Sequence, residues 1–498
     1  MSENGTKTKP EAETRPEPAD RILITRHETT INGTPITYTA ACGTIVLKEE
    51  AEKTGENAGE SEGEKPRASI FFTAYTREGV KDPATRPITF AFNGGPGSSS
   101  VWLHMGALGP RRVWLGEDGL TPPPPPFQVI DNAQSILDVT DLVFIDPVST
   151  GFSRPVVGEK ARPFHGFKRD IEVVGDFIRL YTNRYQRWAS PKFLAGESYG
   201  TTRAAGLSGY LQERHGMYLN GIMLISAVLN FQTLEFDNGN DLPYILYLPA
   251  YTAAAWFHHR LAGDLQADLH AALRESEEFA NGDYALALHQ GSAMPASRRK
   301  AVVRKLARLT GLSAEYLEQT DLRIEHIRFC KELRRSENRT IGRLDSRFAG
   351  MDRLAIGGQF EFDPSYAAIQ GSYTAALYDY VRRELNFESD LPYEIINGRV
   401  WPWSYAEHEN RYVEVADTLR RAMHQNPALK VHVANGYYDL ATPYLATEYT
   451  FNHLGLDESL RGNITMSYYE AGHMMYIHQP SLEKLKDELA RFILEAVK

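Results

Sequence analysis

The chain is expected to form an α/β fold: a mostly parallel central sheet with helices on both faces and an inserted helical cap. Three observations predict it. Short β-rich runs alternate with helical stretches from residue 87 onward, the interval 232–385 reads almost wholly as helix, and two segments before residue 80 alternate like antiparallel strands.

Taken in order, residues 1–20 are polar and rich in Glu, Pro and Thr, and are expected to be a disordered tail. "GTPITYTAACGTIVL" and "ASIFFTAYT" read as strands of an antiparallel pair. Between them, "KEEAEKTGENAGESEGEKPRAS" at 48–69 has the charge of a flexible, disordered hairpin loop. "PITFAFN", "DLVFIDP", "KFLAGES", "GIMLISAVLN", "KVHVANG" and "ITMSYYEAGH" are strand-sized apolar runs, with helices expected over 167–188, 201–214 and 410–424. The five prolines at 122–126 suit an extended surface segment. The span 232–385 is too long for one crossover and contains "QADLHAALRESEEFA", "ASRRKAVVRKLARLTGL" and "SYAAIQGSYTAALYDYVRREL". It is read as a helical cap that divides the core into a first part, 21–231, and a second part, 386–498.

Composition excludes several classes of function. The 498 residues are 42% hydrophobic, enough for a large core, and the formal net charge of −10 leaves no broad basic face for nucleic acid or an anionic membrane. No apolar run reaches the ~18 residues of a membrane span. The first twenty residues lack the apolar core of a signal peptide, so the expected location is cytoplasmic. Cys42 and Cys330 are expected to be small buried hydrophobes, and His258–His259 a surface pair without carboxylates at metal-ligand spacing. No metal or organic cofactor is implied.

The chemistry is carried by four short stretches. "AFNGGPGSSS" at 91–100 places glycines directly after a strand, which suits either a tight turn or a loop where a ligand approaches the main chain. "GESYG" at 196–200 matches G-x-S-x-G between a strand and a helix, the elbow that exposes a serine hydroxyl in α/β-hydrolases. The alternative for Ser198 is an ordinary helix N-cap, which the strand-turn-helix context disfavours. A nucleophilic serine needs a base, and the base an orienter. The last two strands supply them in the required order, with Asp439 in "VHVANGYYDLATPY" and His473 in "MSYYEAGHMMY". The glycine loop then acquires a purpose, because backbone N–H groups stabilise a tetrahedral oxyanion only where no side chain blocks their approach.

Together "FNGGPGSSS", "GESYG", "NGYYDLATPY" and "AGHMMY" resemble the serine carboxypeptidase family from about Ile88 to the C-terminus. The resemblance implies Ser198 as nucleophile, His473 as general base and Asp439 as orienter, with the Gly95 and Tyr199 amides as oxyanion hole. It also implies that Asn93, Gly94 and Glu197 bind the terminal carboxylate of a peptide substrate. Departures are Ala91 for a common tryptophan, Ser98 for a cysteine, and too few cysteines for the disulfides of secreted members, which points to an unsecreted, microbial-type branch. A second family glutamate, fourteen residues after the loop asparagine, is Ala107 here. A lone Glu197 lacks the upward push of a neighbouring carboxylate and is expected to ionise at lower pH than the family pair. Arg203 is then the nearest cation in sequence to meet a substrate carboxylate. An esterase or acyltransferase using the same triad, and a non-catalytic binding protein on the same fold, are the alternatives.

Overall fold

A computed structural model describes residues 17–498; the expected polar tail falls almost entirely outside them. The main sheet is built from β1 (Arg21–Ile31), β2 (Thr34–Glu52), β3 (Ser61–Arg77), β4 (Ile88–Phe92), β5 (Asp141–Ile145), β6 (Lys192–Ser198), β7 (Gly221–Ala227), β8 (Lys430–Gly436) and β9 (Ile464–Tyr469). Their spatial order is β1-β2-β3-β5-β4-β6-β7-β8-β9, and a short strand at Arg154–Pro155 pairs with β3. Pairing is antiparallel from β1 to β5 and parallel from β5 to β9.

The inner strands are apolar throughout because both their faces are covered. Phe193 and Ala195 of β6 enter one core, and Leu194 between them enters the other. Helices α1 (Phe167–Arg184) and α2 (Tyr199–His215) cover one face with α7 (Ala416–Gln425), and α9 (Gln479–Ala496) covers the other. Between β7 and β8 run α3 (Leu242–Phe257), α4 (Leu269–Phe279), α5 (Ala296–Thr310), α6 (Pro364–Arg383) and several shorter helices, while α8 (Tyr444–Asn452) follows β8. Asp268 and Asp363 cap α4 and α6 through side-chain bonds to Ala271 and Ser365 amides, and Gly311 closes α5 in the left-handed region. Helices α3, α4 and α5 share a third core that also takes in Leu440, Tyr444 and Leu445. Helix α6 instead buries Tyr373, Leu377 and Tyr380 in the first sheet-face core.

Several sequence expectations need correction. The charged stretch 48–69 is mostly strand: β2 and β3 continue their ladder from Lys48↔Pro66 to Glu52↔Ser61, leaving a short turn at 53–60. Ladder hydrogen bonds are indifferent to side-chain polarity, and Glu49 faces Lys65 across the pair while also bridging Arg169. Helix α1 stops at Arg184 because Gln186 takes φ 57° and Arg187 N–H closes on Thr182 O at 2.8 Å. Helix α7 begins at Ala416; the preceding residues stay extended, with Glu414 bridging Asn230 and Val415 N–H bonded to Leu229 O at 2.8 Å. His258 is no surface residue: it is half-buried, its Nε2 lies 2.7 Å from Ser346 O, and burial pushes the imidazole down to about 4. Cys42 and Cys330 are free and buried.

Candidate active site

Strand β6 ends at Ser198, which adopts φ 60° and ψ −130°, a conformation that costs strain and occurs where the surrounding structure imposes it. The flanking glycines are sterically required. A Cβ on Gly196 would lie 2.2 Å from Gly200 O, and one on Gly200 would lie 2.7 Å from Phe92 O. The serine is thereby turned out, half-exposed, at the N-terminus of α2. The glycine loop lies directly over this turn, since a Cβ on Gly94 would approach Tyr199 N to 2.4 Å. Gly95, the next residue, lines the same cavity as Ser198, and Tyr199 opens α2 immediately after the serine.

Asp439 and His473 leave the ends of β8 and β9. Asp439 Oδ2 lies 2.7 Å from His473 Nδ1 and accepts the Thr442 hydroxyl at 2.8 Å, and Oδ1 accepts the Ala441 and Thr442 amides at 2.7 and 3.0 Å. Burial pushes the His473 imidazole down, but the Asp439 charge and hydrogen bond prevail and hold it above its ordinary value. Ser198 and His473 line one cavity of about 270 Å³, floored by Asn93, Gly94, Gly95 and Glu197. They form no hydrogen bond with each other here; bonds of this kind often close only around substrate.

Asn93 is fixed from three sides. Its Nδ2 donates to Glu197 Oε1 at 2.8 Å, its Oδ1 accepts Leu103 N–H at 3.0 Å, and its carbonyl accepts Arg203 Nη1 at 2.6 Å. The second oxygen of Glu197 accepts the Tyr476 hydroxyl at 2.7 Å. Burial pushes the Glu197 carboxyl up to about 7, against the His473 charge and the Tyr476 and Asn93 hydrogen bonds. With Ala107 in place of a second carboxylate, Glu197 is partnered by the Tyr476 hydroxyl, and burial by itself holds its carboxyl well above the ordinary carboxylate value.

Arg203 does not reach the cavity. It is 1% exposed, with Nε and Nη2 on Asp170 at 2.8 and 3.2 Å. Its role is to hold the Asn93 carbonyl, and substrate binding by Arg203 is overturned. The guanidinium that does line the cavity is that of Arg343, together with Leu344, Phe360, Asp363 and Tyr366. Sequence reasoning missed Tyr476, although it stands three residues after His473, and missed Arg343, which no motif marks. Among the described residues no group of His, Cys, Asp and Glu is arranged to hold a metal. The arrangement offers a serine on a strained turn, a buried imidazole–carboxylate pair and clustered amides, the set that acyl transfer through a serine requires.

Comparison with known proteins places these features in context. A family model described as serine carboxypeptidase matches residues 58–479. Serine carboxypeptidase S10 family member 1 of Dictyostelium discoideum is 27% identical over 187 residues, and the match covers 37% of this chain and 39% of that protein. Serine carboxypeptidase-like 36 of Arabidopsis thaliana is 29% identical over 171 residues, covering 33% of each. These matches span well under half the length of either relative. The crystal structure of Kex1(delta)p, a prohormone-processing carboxypeptidase from Saccharomyces cerevisiae, superposes with a TM-score of 0.57 at 15% identity, covering 92% of this chain and 91% of that one. That likeness establishes the α/β-hydrolase fold.

Proposed function

The chain belongs to the serine carboxypeptidase family, and on that premise we propose that it hydrolyses the C-terminal peptide bond of peptides through an acyl-serine intermediate. The observation carrying this reading is the 2.7 Å Asp439–His473 pair sharing a cavity with Ser198 on its strained turn.

In this reading Ser198 Oγ attacks the scissile carbonyl while His473 Nε2 takes its proton. Asp439 keeps the other ring nitrogen protonated and stabilises the imidazolium. Negative charge on the former carbonyl oxygen meets the Gly95 and Tyr199 amides, which need no reorganisation to receive it. His473 then protonates the leaving amine. Water, activated by the same imidazole, releases the acyl group and restores Ser198. Asn93, Gly94 and Glu197 border the space left for the departing residue and its free carboxylate.

Ser198→Ala is expected to lower turnover of an N-blocked dipeptide by roughly 10⁴-fold or more, with Asp439→Asn losing several orders of magnitude while staying folded. Ester hydrolysis without any peptide cleavage would instead favour an esterase, and full activity in Ser198→Ala would remove the serine from the chemistry.

A further inference from the structure

The cavity holds one guanidinium without a partner. Among the described residues Arg343 makes side-chain hydrogen bonds and ion pairs with none, although it is half-buried and lines the space above Ser198. Its neighbours are engaged elsewhere. Asp363, a carboxylate lining the same cavity, accepts the Arg343, Leu344 and Ser365 amides and the Ser365 hydroxyl. Glu197 is occupied by Asn93 and Tyr476, and Arg203 by Asp170. A guanidinium that lines a cavity with its donors uncommitted is free to receive a ligand, and its planar fork matches a carboxylate.

The placement of Arg343 is rigid at its root. Its carbonyl accepts Leu440 N–H at 3.0 Å, next to Asp439, and the carbonyl of Leu344 accepts His473 N–H at 2.6 Å. The side chain therefore springs from a backbone segment fixed to both loops of the triad. A ligand held by its fork is registered against the reacting centre.

We propose that Arg343 binds a carboxylate of the peptide substrate and thereby selects acidic ligands for this cavity. The inference rests on the peptidase reading above. The carboxylate is either an acidic side chain beside the scissile bond or the free C-terminus, which Arg343 would then share with Asn93, Gly94 and Glu197 of the same cavity, and the two sources separate experimentally. Arg343 also opposes the rise of His473, but that influence would weaken acidic and neutral substrates alike.

The test measures binding of four N-blocked dipeptides to Ser198→Ala and to Ser198→Ala with Arg343→Gln: a neutral peptide as free acid and methyl ester, and a glutamate-containing peptide in both forms. Arg343→Gln is expected to weaken the free acids by about 10- to 100-fold more than the esters if the C-terminus is held, or both glutamate peptides more than both neutral ones if a side chain is held. Arg343→Lys, which keeps charge without the fork, should recover part of the loss and guards against misfolding. Equal losses across all four, no loss, or no binding of any peptide overturns the proposal. Turnover of the free acids by the unmutated enzyme, measured alongside, tests the peptidase reading separately.

Discussion

Glu197 lies beneath the glycine loop with one carboxyl oxygen on Asn93 and the other on Tyr476. Its ordinary value of 4.5 is raised by burial to about 7 in the folded protein. Between those values the unfolded chain releases its proton before the folded one does, so stability falls as pH rises through this window and is level on either side. Glu197→Gln cannot ionise, and its stability relative to the parent should move in the variant's favour by about 3 kcal/mol between pH 4 and pH 8. Urea unfolding at the two pH values checks this; a difference that stays constant would show that another group titrates. The grouping of Ser198, Asp439 and His473 was legible at this scale because each stands at the end of an apolar strand within a short motif. Arg203 misled because nearness in sequence is not nearness in space: five residues along a helix from Ser198 turn its side chain well away from the serine and towards Asp170 of α1. Arg343 carries no local signature, since its importance arises only when a distant segment is laid over the cavity.

The segment 343–347 behaves as a strap between the helical insertion and the triad loops. Arg343 O and Leu344 O receive amides from the two loops, Ser346 N–H bonds Tyr438 O at 2.9 Å, and Asp345 Oδ2 accepts Gly472 N–H at 3.2 Å while pairing with Arg347 at 2.6 Å. Asp345→Asn weakens both contacts of that carboxylate. The expected result is a fall in kcat of about 10- to 100-fold with little change in KM, because small misplacement of a catalytic group is expensive. A variant with lowered thermal stability but normal kcat would reduce the strap to a structural tie. Among the elements, the parallel strands were readable as unbroken apolar runs, whereas α3 was covered only by the general helical reading of 232–385, without bounds of its own. Its sequence is apolar nearly all round and contains Pro249, so it has no polar face to reveal a helical period. Strand β1 hid for the opposite reason, being mostly polar and partly exposed at the sheet edge. Charge alone made 48–69 look unstructured, although backbone pairing carries β2 and β3 well into it.

The whole molecule combines two cores on the faces of one sheet with a third among the inserted helices. The general architecture was legible because alternating β-rich and helical runs leave few topologies open. The linkage of the third core to the triad was not, since it depends on Leu440, a fully buried residue beside Asp439 that packs among the inserted helices. Leu440→Ala should destabilise the protein by about 2–5 kcal/mol and lower activity below what the remaining folded fraction accounts for. Calorimetry with active-site titration checks this, and a destabilised variant of full specific activity would argue against the linkage. The strap also limits how this architecture can diversify. A recombinant in which the inserted helices are exchanged for those of a relative would inherit a foreign backbone where His473 and Leu440 seek their carbonyl acceptors and Gly472 seeks the Asp345 carboxylate, so the insertion and the loops it ties down are expected to transplant only together.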